Sequence, residues 1–131
     1  MKPARQFGNT EKESAVRAYL YLIGLAAHRK SVTYEELPEA IKRGGPNLLA
    51  KPLGLLSEWC KANELPALAS LVVERATGLP APGFTVVSRS EIPAEQEGVW
   101  DYDWFAIYPP TIEELGLRQK VVAEDNRTEQ N

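Results

Sequence analysis

The sequence predicts an α+β domain of the winged helix-turn-helix type: three helices and a β-hairpin, with an aromatic segment and a C-terminal helix added. Three observations carry this prediction. Apolar residues recur at three- and four-residue steps through the first half of the chain. Two β-type runs, residues 68–73 and 84–87, then flank a loop rich in proline and glycine. Finally, 131 residues that are 44% hydrophobic and 25% charged suit one core. A chain of this length buries roughly two thirds of its unfolded surface, so it needs no disulfide or metal for stability.

Residues 1–9 lack periodicity and read as a flexible arm, residues 10–123 as a single domain, and residues 124–131 as a polar, frayed tail. Thr10 and Glu13 have the spacing of a capping box, in which each side chain satisfies a free backbone N–H of the other. A helix over residues 11–28 follows, with Val16, Tyr19, Leu20, Ile23, Ala26 and Ala27 on its apolar face and Leu22 and Leu25 widening it. Thr33 and Glu36 repeat the box and open a short helix running to Lys42, with Tyr34, Leu37 and Ile41 facing inward. Gly44-Gly45-Pro46 stops it. The third helix runs to Asn63, its regular part starting at Lys51, with Leu49, Leu53, Leu56, Trp59 and Cys60 on one face.

Runs 68–73 and 84–87 then form the hairpin, its long tip stiffened by Pro80 and Pro82. Residues 88–97 are polar and read as irregular. Residues 99–108 hold five of the eleven aromatic residues, and Pro109-Pro110 ends that segment. Thr111 with Glu114 makes a third capping box, opening a helix to Val122.

Counting excludes some chemistry. One histidine and one cysteine cannot supply a Cys/His zinc site, so neither metal nor cofactor is expected. His28 falls in the cationic end of the first helix, where positive charge complements the helix dipole. Cys60, on an apolar helix face, reads as a small core residue. No apolar run has the roughly 20 residues of a membrane span, and residues 1–6 lack the apolar stretch of a signal peptide. A cytoplasmic protein without a membrane partner is the expectation.

Charge divides the chain. Residues 1–75 carry 11 Lys/Arg against 8 Asp/Glu, and residues 76–131 carry 4 against 10. The basic half suits phosphates, and the acidic half suits a basic partner.

Several short segments bear on this. Thr33-Tyr34-Glu35-Glu36-Leu37, Ala50-Lys51-Pro52-Leu53-Gly54-Leu55-Leu56, Asn63-Glu64-Leu65-Pro66, Val72-Val73 and Gly78 together resemble the DNA-binding half of O6-alkylguanine-DNA alkyltransferases and alkyltransferase-like proteins. The resemblance covers residues 10–85. It implies a winged-helix DNA-binding surface, with Tyr34 beside a backbone phosphate and Lys51 where the family inserts an arginine into the base stack. The sequence departs from the family where the acceptor thiol would lie: residues 67–71 read Ala-Leu-Ala-Ser-Leu, with no Cys-His pair. Alkyl transfer to cysteine is therefore not implied. Binding without chemistry is.

On that surface Lys51, Gly54, Ser57, Glu58 and Lys61 share the exposed side of the third helix. These are poor readers of base edges, so contact is expected mainly with phosphates. Tyr34, Lys42, Arg43, Lys51, Lys61 and Arg75 are the candidate nucleic-acid-binding residues. The alternative is a protein-interaction module of the inhibitor or immunity type. It would bind a basic protein partner through Trp100, Asp101, Tyr102, Asp103 and Trp104, since Trp and Tyr are enriched among interface hot spots.

Overall fold

Thr10 and Glu13 form the reciprocal pair their spacing predicts. The Glu13 N–H donates to Thr10 Oγ1 at 3.1 Å, and the Thr10 and Gly8 N–H groups donate to the Glu13 carboxylate at 3.0 and 2.6 Å. Helix α1 (Glu11–Ala27) starts there. These and the following features come from a computed structural model that describes residues 3–116.

Ala15, Ala18, Tyr19 and Leu22 on α1 are fully buried, and this helix forms the centre of the molecule. Leu20 and Ala27 fall outside the buried arc, leaving Leu20 46% exposed.

A two-residue strand β1 (Val32–Thr33) leads into α2 (Glu36–Ile41). The second capping box is present: the Glu36 N–H donates to Thr33 Oγ1, and the Thr33 N–H donates to the Glu36 carboxylate, each at 3.1 Å. Pro46–Leu48 makes a 3-10 turn, and α3 (Ala50–Ala62) follows, packed along α1 through Leu53, Leu56, Trp59 and Cys60. Cys60 is buried in this core.

The expected hairpin is not formed. Residues 68–71 close a buried 3-10 turn, and β2 (Val72–Val73) pairs in parallel with β1, Val32 opposite Val72 and Thr33 opposite Val73. Leu68, Ala69, Ser70 and Leu71 are all buried, and a short, wholly buried apolar run has no periodicity to separate strand from turn. Residues 84–87 alternate in sequence but join no ladder; among the described residues β2 pairs with β1 alone. The architecture among the described residues is thus helix-dominated α+β with a two-stranded parallel sheet.

Residues 88–97 are not irregular. Ser88 and Glu91 form another capping box, and α4 (Ile92–Asp101) follows a 3-10 turn. Ile92, Gln96 and Val99, spaced four and three apart, are its buried face. Trp104–Ala106 forms a last 3-10 turn. Thr111 and Glu114 cap a helical turn over residues 112–116, from which Leu115 enters the core. The remainder of the helix expected to Val122, and the expected tail at 124–131, lie outside the described residues.

The capping carboxylates set an acid dependence. Glu13 is held below its ordinary value of 4.5 chiefly by the Gly8 N–H, Glu36 by the Thr33 N–H and Glu91 by the Ser88 hydroxyl. A carboxyl group lowered in the folded state contributes stability that is complete above its unfolded value and is lost as pH falls through the folded one. Stability should therefore decline as pH drops below 4.5. Urea unfolding measured from about pH 7 to about pH 2.5 should show a flatter acid limb when the three glutamates are replaced together by glutamine. An unchanged acid limb would assign the dependence to other carboxylates.

Candidate functional site

The successive turns of α3 present Ala50, Leu53, Gly54, Ser57 and Glu58 along one side, at the three- and four-residue spacing that aligns side chains on a helix. This side borders a cavity of about 550 Å³, a size within the usual range for small-ligand sites, roughly 300–1,000 Å³. Tyr34, from the segment between β1 and α2, and Ala69, from the buried 3-10 turn, also line it. Ala81 and residues 83–86 complete the lining. The lining is mainly apolar, with the hydroxyls of Tyr34, Ser57 and Thr85 and the Glu58 carboxylate as its polar side-chain groups.

Tyr34 is half-buried, and its Oη accepts the Ala81 N–H at 2.8 Å. Gly54 is exposed, and a Cβ built on it would meet nothing within 4 Å.

The candidate cations separate into two groups. Lys42, Lys51, Lys61 and Arg75 are exposed. Lys42 closes α2 at φ 59, and Lys61 lies in the last turn of α3, where it complements the helix dipole. Arg75 helps lower the Glu36 carboxyl by its charge. Arg43 is otherwise engaged. Its guanidinium donates to Ser14 Oγ at 3.1 Å, to Asn9 Oδ1 at 3.1 Å and to the Asn9 carbonyl at 2.8 Å, which ties the N-terminal arm to α1.

The aromatic segment is mostly structural. Trp104 is 2% exposed; its Nε1–H donates to the Val99 carbonyl at 2.8 Å, and its ring meets Tyr19 edge-on at 6.2 Å. It is a core residue and presents no surface to a partner. Tyr102 is half-buried against it, ring centroids 4.8 Å apart. Trp100 is half-buried, donates from Nε1 to the Lys30 carbonyl at 3.0 Å, and lies 5.3 Å beneath the Arg29 guanidinium. Arg29 also bonds Glu97, and Asp101 at 2.7 Å, which fastens α4 to the end of α1. Asp103 remains exposed, beside Phe105 at 68% exposure.

The cavity wall at Ala69 and residues 81–86 was not among the residues singled out in the sequence. The resemblance located the first only as a segment lacking its thiol, and nothing local marks the second. Among the described residues no group of three or more His, Cys, Asp or Glu is placed to hold a metal ion, and no helix is long and apolar enough to cross a membrane. No protein family, curated protein or solved structure matches the chain.

Proposed function

We propose that this protein is a non-enzymatic, DNA-associated binding protein that uses the exposed side of α3 and the cavity beside it. The observation that carries the reading is convergence. Tyr34 comes from one segment that resembles the alkyltransferase-like proteins and Ala50, Leu53 and Gly54 from another, and they line one cavity together with Ala69 of the segment that departs from the family. In this reading α2 and α3 act as the helix-turn-helix pair, and the loop after β2 stands where a winged helix carries its wing.

The family's active-site run is Pro-Cys-His-Arg-Val-Val; with its Val-Val set on Val72-Val73, the resemblance puts Ala69 at the place of the acceptor cysteine. A methyl group there offers no nucleophile, while the cavity has room for an unstacked base. An enzyme that acts on a base must extrude it from the stack, and a binder can hold it by the same route. Lys51 on the first turn of α3 supplies a phosphate contact but lacks the planar guanidinium that stacks well.

The test is fluorescence anisotropy of labelled duplex and single-stranded DNA at two salt concentrations. Dissociation constants on the order of micromolar at low salt, rising steeply with salt, are expected. Lys51→Glu should weaken the complex and reduce the salt slope by about one. No binding at low salt would end the DNA reading.

A second reading retains one observation in its favour: Phe105 and Tyr108 are 68% and 92% exposed, in the acidic half of the chain. A basic protein partner would dock there. If Phe105→Ser with Tyr108→Ser leaves capture of arginine-rich probe proteins unchanged, that surface is not the contact.

A further inference from the structure

The segment from Gly78 to Val87 belongs to no helix or strand, and it has one face against the cavity. Buried or half-buried irregular backbone must find partners for its N–H and C=O groups outside a ladder. Here side chains from three other places supply them. Gln96 on α4, 8% exposed, uses Nε2 to donate to the Ser70 carbonyl at 2.9 Å and to the Gly78 carbonyl at 3.3 Å. Arg89 donates to the Pro80 carbonyl at 2.6 Å and reaches the Ala81 carbonyl at 3.4 Å. Tyr34, which with Ala81 lines the cavity, accepts the Ala81 N–H at its hydroxyl oxygen. Beyond Ala81, among the described residues, the one internal backbone bond runs from the Phe84 N–H to the Ala81 carbonyl at 2.9 Å, so the backbone of residues 83–86 is tied through Ala81 while the Phe84 side chain packs against the core.

We infer that Tyr34 is a positioning residue: its hydroxyl, together with Arg89, fixes the 79–87 loop as the outer wall of the cavity. This deepens the DNA reading and rests on it for the ligand, an unpaired or extruded base. It also gives Tyr34 a role beside the phosphate contact implied by family resemblance. The hydroxyl oxygen accepts a backbone N–H, its own O–H stays able to donate, and Tyr34 lines the cavity, so the two roles are separated by the measurement below. Ordering the wall in advance lowers the entropic cost of closing it on a ligand.

Two variants test this on the full chain. Tyr34→Phe keeps the ring and removes the acceptor; Arg89→Met keeps the stem and removes the donors. Amide hydrogen exchange without DNA should accelerate by about tenfold in each at Ala81 and Phe84, the two hydrogen-bonded amides of the wall, with α1 and α3 amides unchanged. Anisotropy should then compare a duplex carrying one unpaired nucleotide with a fully paired duplex. Both variants should lose about tenfold more affinity for the first than for the second. Unchanged exchange at Phe84 overturns the inference. So does an equal loss on both duplexes in Tyr34→Phe alone, which is the mark of a phosphate contact. If the unaltered protein binds neither duplex, the DNA reading falls, and the exchange result alone decides whether Tyr34 holds the loop.

Discussion

Trp104→Ala should lower the free energy of unfolding by about 3–5 kcal/mol, the range for deleting a large buried aromatic side chain. The indole lies between Tyr19 and Tyr102 and closes the core between α1 and the segment after α4. Alanine would leave a cavity and reduce the Val99 carbonyl to its longer bond from the Tyr102 N–H at 3.4 Å. Against a total stability on the order of 5–15 kcal/mol this is a large fraction, and the melting temperature should fall by roughly 10 °C or more. Urea denaturation followed by circular dichroism would measure it. Trp100→Ala is the control. Its ring is half-buried and its partners are the Lys30 carbonyl and the exposed Arg29, so a loss of about 1 kcal/mol is expected. Equal losses in the two variants would contradict the division of this aromatic segment into core and surface.

The second large effect has opposite signs in two measurements. Gly54→Leu places a side chain in open space on an exposed position inside α3. Relieving a helix-interior glycine should raise stability by about 0.5–1 kcal/mol. The same side chain projects beside the cavity that Gly54 lines, where it would block close approach of a DNA backbone or entry of a base. Affinity for DNA should fall at least roughly tenfold, equivalent to about 1.4 kcal/mol. Because the fold gains stability, loss of binding cannot be attributed to unfolding. A stabilised variant that binds DNA as well as the unaltered chain would remove α3 from the interface.

Much of the site was legible in pieces. The exposed side of α3 at Lys51, Gly54, Glu58 and Lys61 follows from helical spacing, whereas Tyr34 reads in the sequence as an inward-facing residue of the second helix and as a site residue only through the resemblance; the structure places it before α2. Arg43 illustrates the opposite case. In the sequence it is one more cation beside Lys42, and only the fold turns it toward Ser14 and Asn9. Helix α4 carried a readable signal in its Ser88–Glu91 box and in the spacing of Ile92, Gln96 and Val99. Polar residues on its outer side obscured that signal.

What the sequence by itself determined is local. The capping boxes at Thr10, Thr33 and Thr111 and the apolar stripe of α1 all depend on residues within about four positions of one another; the boxes appear where the spacing places them, and so does the stripe except at Leu20 and Ala27, which are exposed. The tertiary structure decided the rest. Val72 and Val73 would suit a hairpin or a parallel ladder equally, and only the nearness of Val32 and Thr33 selects the ladder. Likewise the Tyr34–Ala81 bond joins residues 47 positions apart, and the Arg29–Asp101 bond residues 72 apart. Such contacts form only when the core brings distant segments together, because closing so long a loop costs chain entropy that no local propensity offsets. The cavity beside α3, bounded by residues from Tyr34 to Val86, is a product of that closure.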